Sequence, residues 1–207
     1  MTSFKLVRVL MRRRRDLAWI WGLRGLPPRV LWFQWRARRV AWRTGDRFSL
    51  ASVTRPADMR VLLELARGCR QIVEIGTATG WTAITLALHD PGCRVVTYDA
   101  FERIEQQRYL GLVRPDVRER IEVVIAPGST GPRDRPPVDL LYIDSSHERE
   151  QTVAEVRAWR PYLSPGALVI FDDYVHPDYP GVRQAVEELA LDGERRGELF
   201  VHRHAGA

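Results

Sequence analysis

Apolar residues recur along this chain in two alternating rhythms: short β-branched runs, and longer stretches at helical spacing. The run Ile72-Val73-Glu74-Ile75 reads as a buried strand over 71–75. It ends in Gly76-Thr77-Ala78-Thr79-Gly80 and passes into Ala83, Ile84, Leu86, Ala87 and Leu88, which predict a helix over about 80–89. Upstream, Arg55-Pro56-Ala57-Asp58 opens a helix through Met59, Leu62, Leu63, Leu65 and Ala66 that stops at Gly68, with proline in the first turn and glycine after the end. Pro91-Gly92 turns into a second strand, Val95–Tyr98, closing on Asp99. A helix from about 102 to 112 stops near Gly111 and Pro115. Ile121–Ile125 is a third strand, followed by the loop 126–132. Pro136-Pro137 leads into a fourth, Val138–Ile143, closing on Asp144. Glu148–Trp159 is helical, and Ser164-Pro165-Gly166 turns into a fifth strand, Ala167–Phe171, closing on Asp172-Asp173. A last helix spans Gly181–Leu189, and the tail over about 191–203 holds one short strand and a clear one at Glu198–His202. This alternation predicts an α/β fold: a doubly wound, mostly parallel sheet of six to seven strands with an antiparallel C-terminal strand and helices on both faces.

Charge divides the chain. Residues 1–47 carry Lys5 and twelve arginines against Asp16 and Asp46, a net of +11; the remainder is −5, which together give +6 for the 207 residues. The same segment holds Trp19, Trp21, Trp32, Trp35 and Trp42, interleaved with Arg12-Arg13-Arg14-Arg15 and Arg36-Ala37-Arg38-Arg39. Pro27-Pro28 breaks it into two helices. We therefore divide the chain into a basic, Trp-rich helical extension, 1–47, and a body, 48–207. The extension suits either a helical cover packed on the body or on a second subunit, as in a homo-oligomer, or a peripheral contact with an anionic membrane. Nucleic acid fits less well, since basic-aromatic composition alone is a weak pointer to it. Leu17–Leu23 is apolar but stops at Arg24 without a small-residue cleavage site, and no run is long enough to span a bilayer. Cys69 and Cys93 form no disulfide framework, so the expected location is cytoplasmic, with the inner membrane surface as the peripheral variant.

Acids close four of the strands: Glu74, Asp99, Asp144, and Asp172 with Asp173. In a parallel sheet these ends share one rim, at the crevice where ligands bind. Carboxylates crowded there repel one another unless something positive or hydrogen-bonding sits among them. Asp99 is placed for the vicinal hydroxyls of a ribose. Asp144, Asp172 and Asp173 suit a hard divalent cation such as Mg²⁺, or a metal-free hydrogen-bond network. His147, three residues after Asp144, can accept a hydroxyl proton. His176 and Tyr179 follow on the loop after Asp173 and border either a substrate or only solvent.

Taken in order, Glu74–Gly80, Tyr98-Asp99, Tyr142–His147 and Leu163–Asp173 resemble the class I S-adenosylmethionine-dependent methyltransferases over about 50–203. Within that class the chain resembles the small metal-dependent O-methyltransferases, both catechol-type and antibiotic-sugar-type. The resemblance implies a Rossmann-like domain that binds S-adenosyl-L-methionine. Gly76 and Gly80 would lie along the methionine part, with Thr77 and Ala78 in the same loop, and Glu74 would support that loop. Thr82 would reach the carboxylate, Asp99 with Ala100 the ribose, and Ser129 the adenine. Asp144 would serve both cofactor and metal, sharing Mg²⁺ or another divalent cation with Asp172 and Asp173. His147 stands where the catechol enzymes use a lysine and sugar-modifying relatives a histidine. The expected activity is metal-assisted methylation of a hydroxyl on a small sugar-containing or polyphenolic molecule, with His147 as general base.

Two other readings stand beside it. A nicotinamide-dependent oxidoreductase would share the sheet, but the spacing here is E-x-G-x-x-x-G and not G-x-G-x-x-G. A membrane-associated protein would act on a lipid-linked acceptor, or serve as a non-catalytic binding module through residues 1–47.

Overall fold

The computed structural model describes residues 16–132 and 137–206, so the Arg12–Arg15 run and Pro136 lie outside the described residues. Among those described, one sheet holds β1 (Gln71–Ile75), β2 (Arg94–Asp99), β3 (Ile121–Ile125), β4 (Val138–Ile143), β5 (Leu163–Phe171), β6 (Glu194–Arg196) and β7 (Leu199–Arg203). Their order is β3-β2-β1-β4-β5-β7-β6. The first five run parallel, and β7 pairs antiparallel with both β5 and β6.

The strands read as continuous apolar runs because both faces of the sheet are covered. Ile72, Leu140, Leu168 and Ile170 join one core, with Met59 and Leu62 of α4 (Pro56–Leu65) and Ile84 and Leu86 of α5 (Trp81–His89). Their chain neighbours Val73, Leu141, Val169 and Phe171 join the other, with Val156 and Trp159 of α8 (Arg149–Trp159) and Val182 and Val186 of α9 (Pro180–Glu188). This is the period-two alternation of a strand.

The N-terminal segment breaks at Pro27 as expected, into a helix over 16–22 (α1) and α2 (Pro28–Thr44). Although α2 falls inside the expected extension, it shares the body's first core through Val30, Phe33, Ala37 and Ala41. Gln34 Nε2 donates to Thr85 Oγ1 of α5 at 2.8 Å, and Arg29 donates to the Leu88 and His89 carbonyls, satisfying oxygens that the end of α5 leaves open. A short helix, α3 (Arg47–Ala51), then leads to α4.

Two elements differ from the sequence reading. The helix expected over 102–112 is shorter, α6 (Ile104–Leu110), and a separate turn of helix, α7 (Pro115–Arg118), starts at the proline. Strand β5 begins at Leu163, so Ser164-Pro165-Gly166 lies within it. Its register to β4 jumps from Val138–Leu163 to Leu140–Leu168, and the surplus residues bulge out where Pro165 has no N–H to pair and Gly166 adopts φ +81°. No described helix is long and apolar enough to cross a membrane.

Candidate active site

The chain runs outward from β1 through β2 to β3 and then crosses back to β4 on the other side of β1, which opens a crevice beyond the carboxyl ends of β1 and β4. A cavity of about 900 Å³ lies there. Its walls are the β1–α5 loop, the ends of β2, β4 and β5, and the segment 48–55 arching over from α3. Asp99, Asp144, His147, Asp172 and Asp173 all line it, as the sequence reading requires.

One half of the cavity is a backbone cradle. Gly76 at φ +108° and Thr77 both donate their amides to the Tyr98 carbonyl, at 2.8 and 3.1 Å. The Ala78 amide donates to Asp99 Oδ2 at 2.8 Å and the Phe101 amide to Asp99 Oδ1 at 3.0 Å. Those two bonds fix the Asp99 carboxylate at the cavity wall with lone pairs to spare for two hydroxyls. Gly80, at φ +83°, precedes α5 and closes the turn to the Thr77 carbonyl at 2.7 Å. Thr77, Ala78, Thr82 and Ala100 line the cavity; Thr82 Oγ1 is 3.0 Å from Thr54 Oγ1 in the overlying segment. Ser129 sits in the turn Gly128–Thr130, where Pro127 and Gly128 line the cavity and Ser129 itself does not.

Glu74 lies behind the cradle and does not line the cavity. It is fully buried, accepts from Thr97 Oγ1, and leaves Oε1 without a partner. Burial pushes its carboxyl up to about 8, against the Thr97 hydrogen bond and with help from the charges of Asp144 and Asp99. Because the folded value lies above the ordinary 4.5, Glu74 stabilises the fold fully below that value, and the contribution is lost as pH rises through about 8. Glu74→Gln copies the protonated side chain. Melts at pH 5 and pH 9 should show the variant close to wild type at the lower pH and more stable than wild type at the higher one.

The other half is acidic, with one histidine among the acids. His147 Nε2 lies 3.4 Å from Asp144 Oδ1 and 3.5 Å from Asp173 Oδ2, too long for good hydrogen bonds, and is otherwise buried without a partner. Burial disfavours a charged ring, but Asp144, Asp173 and Asp172 outweigh it and raise the His147 pKa. Tyr142, buried on β4, donates to Asp172 Oδ2 at 2.8 Å, and the Asp173 amide donates to Asp172 Oδ1 at 2.9 Å. Burial and the charges of Asp144 and Asp173 push the Asp172 pKa up. Ala78, His147 and Asp173 all hold left-handed backbone, at φ +46°, +60° and +51°. Such residues cost of order 1 kcal/mol each and persist where the surroundings over-determine them, which is characteristic of functional sites.

Several site residues carry no motif that sequence reading could use. Arg55 Nη2 lies 3.1 Å from Asp173 Oδ1 and 2.6 Å from Glu198 Oε2, while Nε lies 3.1 Å from the buried Asp58. It thereby ties the start of α4 to the end of β5 and to the turn before β7. The Tyr179 ring stacks on His147 at 4.4 Å and on His176 at 4.6 Å, so these loop residues border the cavity. An added Cβ at Gly181 would lie 2.5 Å from the His147 carbonyl oxygen and 2.6 Å from the Arg149 amide, so α9 is pressed against the turn that presents His147.

Residues 73–174 match the family described as a methyltransferase domain. The chain is 34% identical over 149 residues to the catechol O-methyltransferase of Mycobacterium tuberculosis, covering 70% of this chain and 66% of that one. It spans just under two thirds of the curated relatives it matches, 66% and 61%. Among solved structures, TomG of Streptomyces achromogenes, an O-methyltransferase involved in tomaymycin synthesis and crystallised with S-adenosylmethionine, superposes with a TM-score of 0.54 at 25% identity, over 74% of this chain and 82% of its own. CalS11, a TDP-rhamnose 3'-O-methyltransferase of calicheamicin biosynthesis, shares the fold, with a TM-score of 0.55 at 22% identity over 70% of this chain and 76% of that one. The strand order, the glycine cradle at the switch point and these likenesses agree, and residues 73–174 form a methyltransferase domain.

Proposed function

We propose that this chain transfers the methyl group of S-adenosyl-L-methionine to a hydroxyl of a small molecule, with His147 as general base. The observation that carries the reading is His147 Nε2 held between two carboxylates in the same cavity as Asp99 and the Gly76–Gly80 cradle. The donor fits the cradle's chemistry: Asp99 for ribose hydroxyls, Gly76 and Gly80 for close approach along the methionine part, Thr82 for its carboxylate, and a methyl bound to positive sulfur beside an acidic rim. The match of residues 73–174 to a methyltransferase domain leaves the nicotinamide reading without support.

The acceptor O–H gives its proton to His147 Nε2. The oxygen pair forms the bond to the methyl carbon, the carbon–sulfur bond breaks toward sulfur, and the products are a methyl ether and S-adenosylhomocysteine. The chain's contribution is mainly positioning, worth several powers of ten when reactants are held in line. Tyr179 and His176, stacked beside His147, make the acceptor side of the cavity aromatic. The relatives' substrates support a sugar-containing or polyphenolic acceptor. Mass spectrometry on a panel of such acceptors would detect products 14 mass units heavier; the cheaper first test is a melt, in which S-adenosylhomocysteine should raise the transition and NAD should not.

Asp144, Asp172 and Asp173 would hold a divalent cation, Mg²⁺ in the first place. Three carboxylates, with burial first and their mutual charge second raising the Asp172 pKa, are hard donors short of positive charge, so the donor set fits. As the side chains stand, no group of three His, Cys, Asp or Glu among the described residues is gathered to hold one, and Asp144 and Asp173 face His147. A bound cation would supply charge that acidifies and orients the acceptor hydroxyl. Chelation should therefore depress turnover and added Mg²⁺ restore it, with Asp172→Asn abolishing the response.

Arg55 acts one step back, holding Asp173 toward His147. Arg55→Ala should lower kcat on the order of tenfold with the KM for the methyl donor unchanged, and Arg55→Lys should recover part of the loss.

A further inference from the structure

The methyl-transfer reading leaves the outer side of α2 unused. The helix carries two stripes. Val30, Phe33, Ala37 and Ala41 are buried in the core, and Trp32, Trp35, Arg39 and Arg43 run along the opposite side. Trp32 is 58% exposed and Trp35 36%, large apolar surfaces for water to cover. Their rings stack at 4.8 Å, and the Arg39 guanidinium lies 4.6 Å from the Trp35 centroid. At 1.5 Å per residue, Trp32 to Arg43 spans about 16 Å. The neighbouring helix α1 repeats the pairing, with Arg24 over Trp21, which is 69% exposed. From residue 17 to 45 there are six arginines and no acid.

We propose that this face of α2 docks on an anionic phospholipid surface. Paired tryptophans on a rigid helix place apolar rings and polar N–H groups at headgroup depth. The flanking arginines add attraction to anionic headgroups, each worth about fivefold near the surface, screened by salt. Charge complementarity selects the lipid class, and the ring geometry selects lipid over single-stranded nucleic acid. The Trp35 ring is stacked on Trp32 and carries the Arg39 guanidinium, which leaves a base less ring surface to stack on. The inference does not depend on the chemistry of the cavity.

Co-sedimentation of the full chain with phosphatidylglycerol-containing vesicles tests it, against pure phosphatidylcholine vesicles and a single-stranded RNA oligonucleotide. Binding should be confined to the anionic vesicles, fall as salt is raised, and shift tryptophan emission to the blue. Trp32→Ser with Trp35→Ser, and separately Arg39→Glu with Arg43→Glu, should each weaken it by about tenfold or more. Both variants should keep the wild type's cooperative melt, which shows that the body is folded. Unchanged binding by both double variants would assign the attraction to another part of the chain and overturn the proposal. So would equal binding to phosphatidylcholine, stronger binding to the RNA, or no vesicle binding by the wild type.

Discussion

Replacing His147 with alanine is expected to lower methyl transfer by about 10²- to 10⁴-fold, the usual yield of a positioned general base. S-adenosylhomocysteine should still raise the melting temperature, because Asp99 and the Gly76–Gly80 loop do not depend on the imidazole. Alanine alone is an imperfect probe. It removes the ring on which Tyr179 stacks and leaves a poorly suited residue at φ +60°. His147→Asn is the sharper variant, since asparagine tolerates left-handed backbone and keeps a polar head without a basic nitrogen. It should lose turnover as fully as alanine while melting closer to wild type. Asp173→Asn removes both a carboxylate facing the imidazole and one of the three proposed for the cation, so it should lower turnover and blunt the response to Mg²⁺. A His147→Asn enzyme with full turnover would mean that the proton leaves by another route, and would end the base assignment while leaving donor binding intact.

The central features of this site are local in the chain, which is why sequence reading could reach them. A strand that ends in glycine and feeds a helix announces the crevice, and the acids closing β2, β4 and β5 follow from topology once the sheet is recognised as parallel. The same logic over-extends to Glu74. Ending a strand does not fix which way a side chain points, and Glu74 turns inward to Thr97, not outward to the cavity. Ser129 shows the same limit, since a turn's position is legible but its side-chain direction is not. Arg55 was beyond reach for another reason. Its partners Asp173 and Glu198 are 118 and 143 positions away, and only the docking of the last hairpin brings them together. Gly181 belongs with it: nothing in a helix's first turn tells that its backbone will press on the turn that presents His147. The segment 28–44 read as an appendage because its arginines dominate its composition, whereas its buried stripe of Val30, Phe33, Ala37 and Ala41 is part of the body's core.

The two glycines that define the β1–α5 loop look equivalent in the sequence, and the structure separates them. Gly76 at φ +108° lies outside the left-handed well that other residues can enter, and an added Cβ would fall far inside van der Waals contact with the Asp144 carbonyl oxygen. That oxygen belongs to backbone held by the Asp144 amide's 2.8 Å bond to the Ile75 carbonyl, so relief requires β1 and β4 to part at the rim. Strain of about 1–3 kcal/mol and a similar overpacking cost add to a large fraction of a typical fold's stability. Gly76→Ala should therefore melt about 10 °C lower and lose S-adenosylhomocysteine binding, since the same displacement moves Asp144 and the cradle amides together. At Gly80, φ +83° is also unfavourable for alanine, but a Cβ there would meet only Ile84 Cδ1, at 3.9 Å. Its cost is confined to the left-handed backbone, about 1–2 kcal/mol, so Gly80→Ala should melt only a few degrees lower and still bind S-adenosylhomocysteine. Equal melting losses in the two variants would mean that backbone conformation alone requires both glycines, and that the close approach of β1 to the Asp144 carbonyl is not what fixes the cradle against the acidic rim.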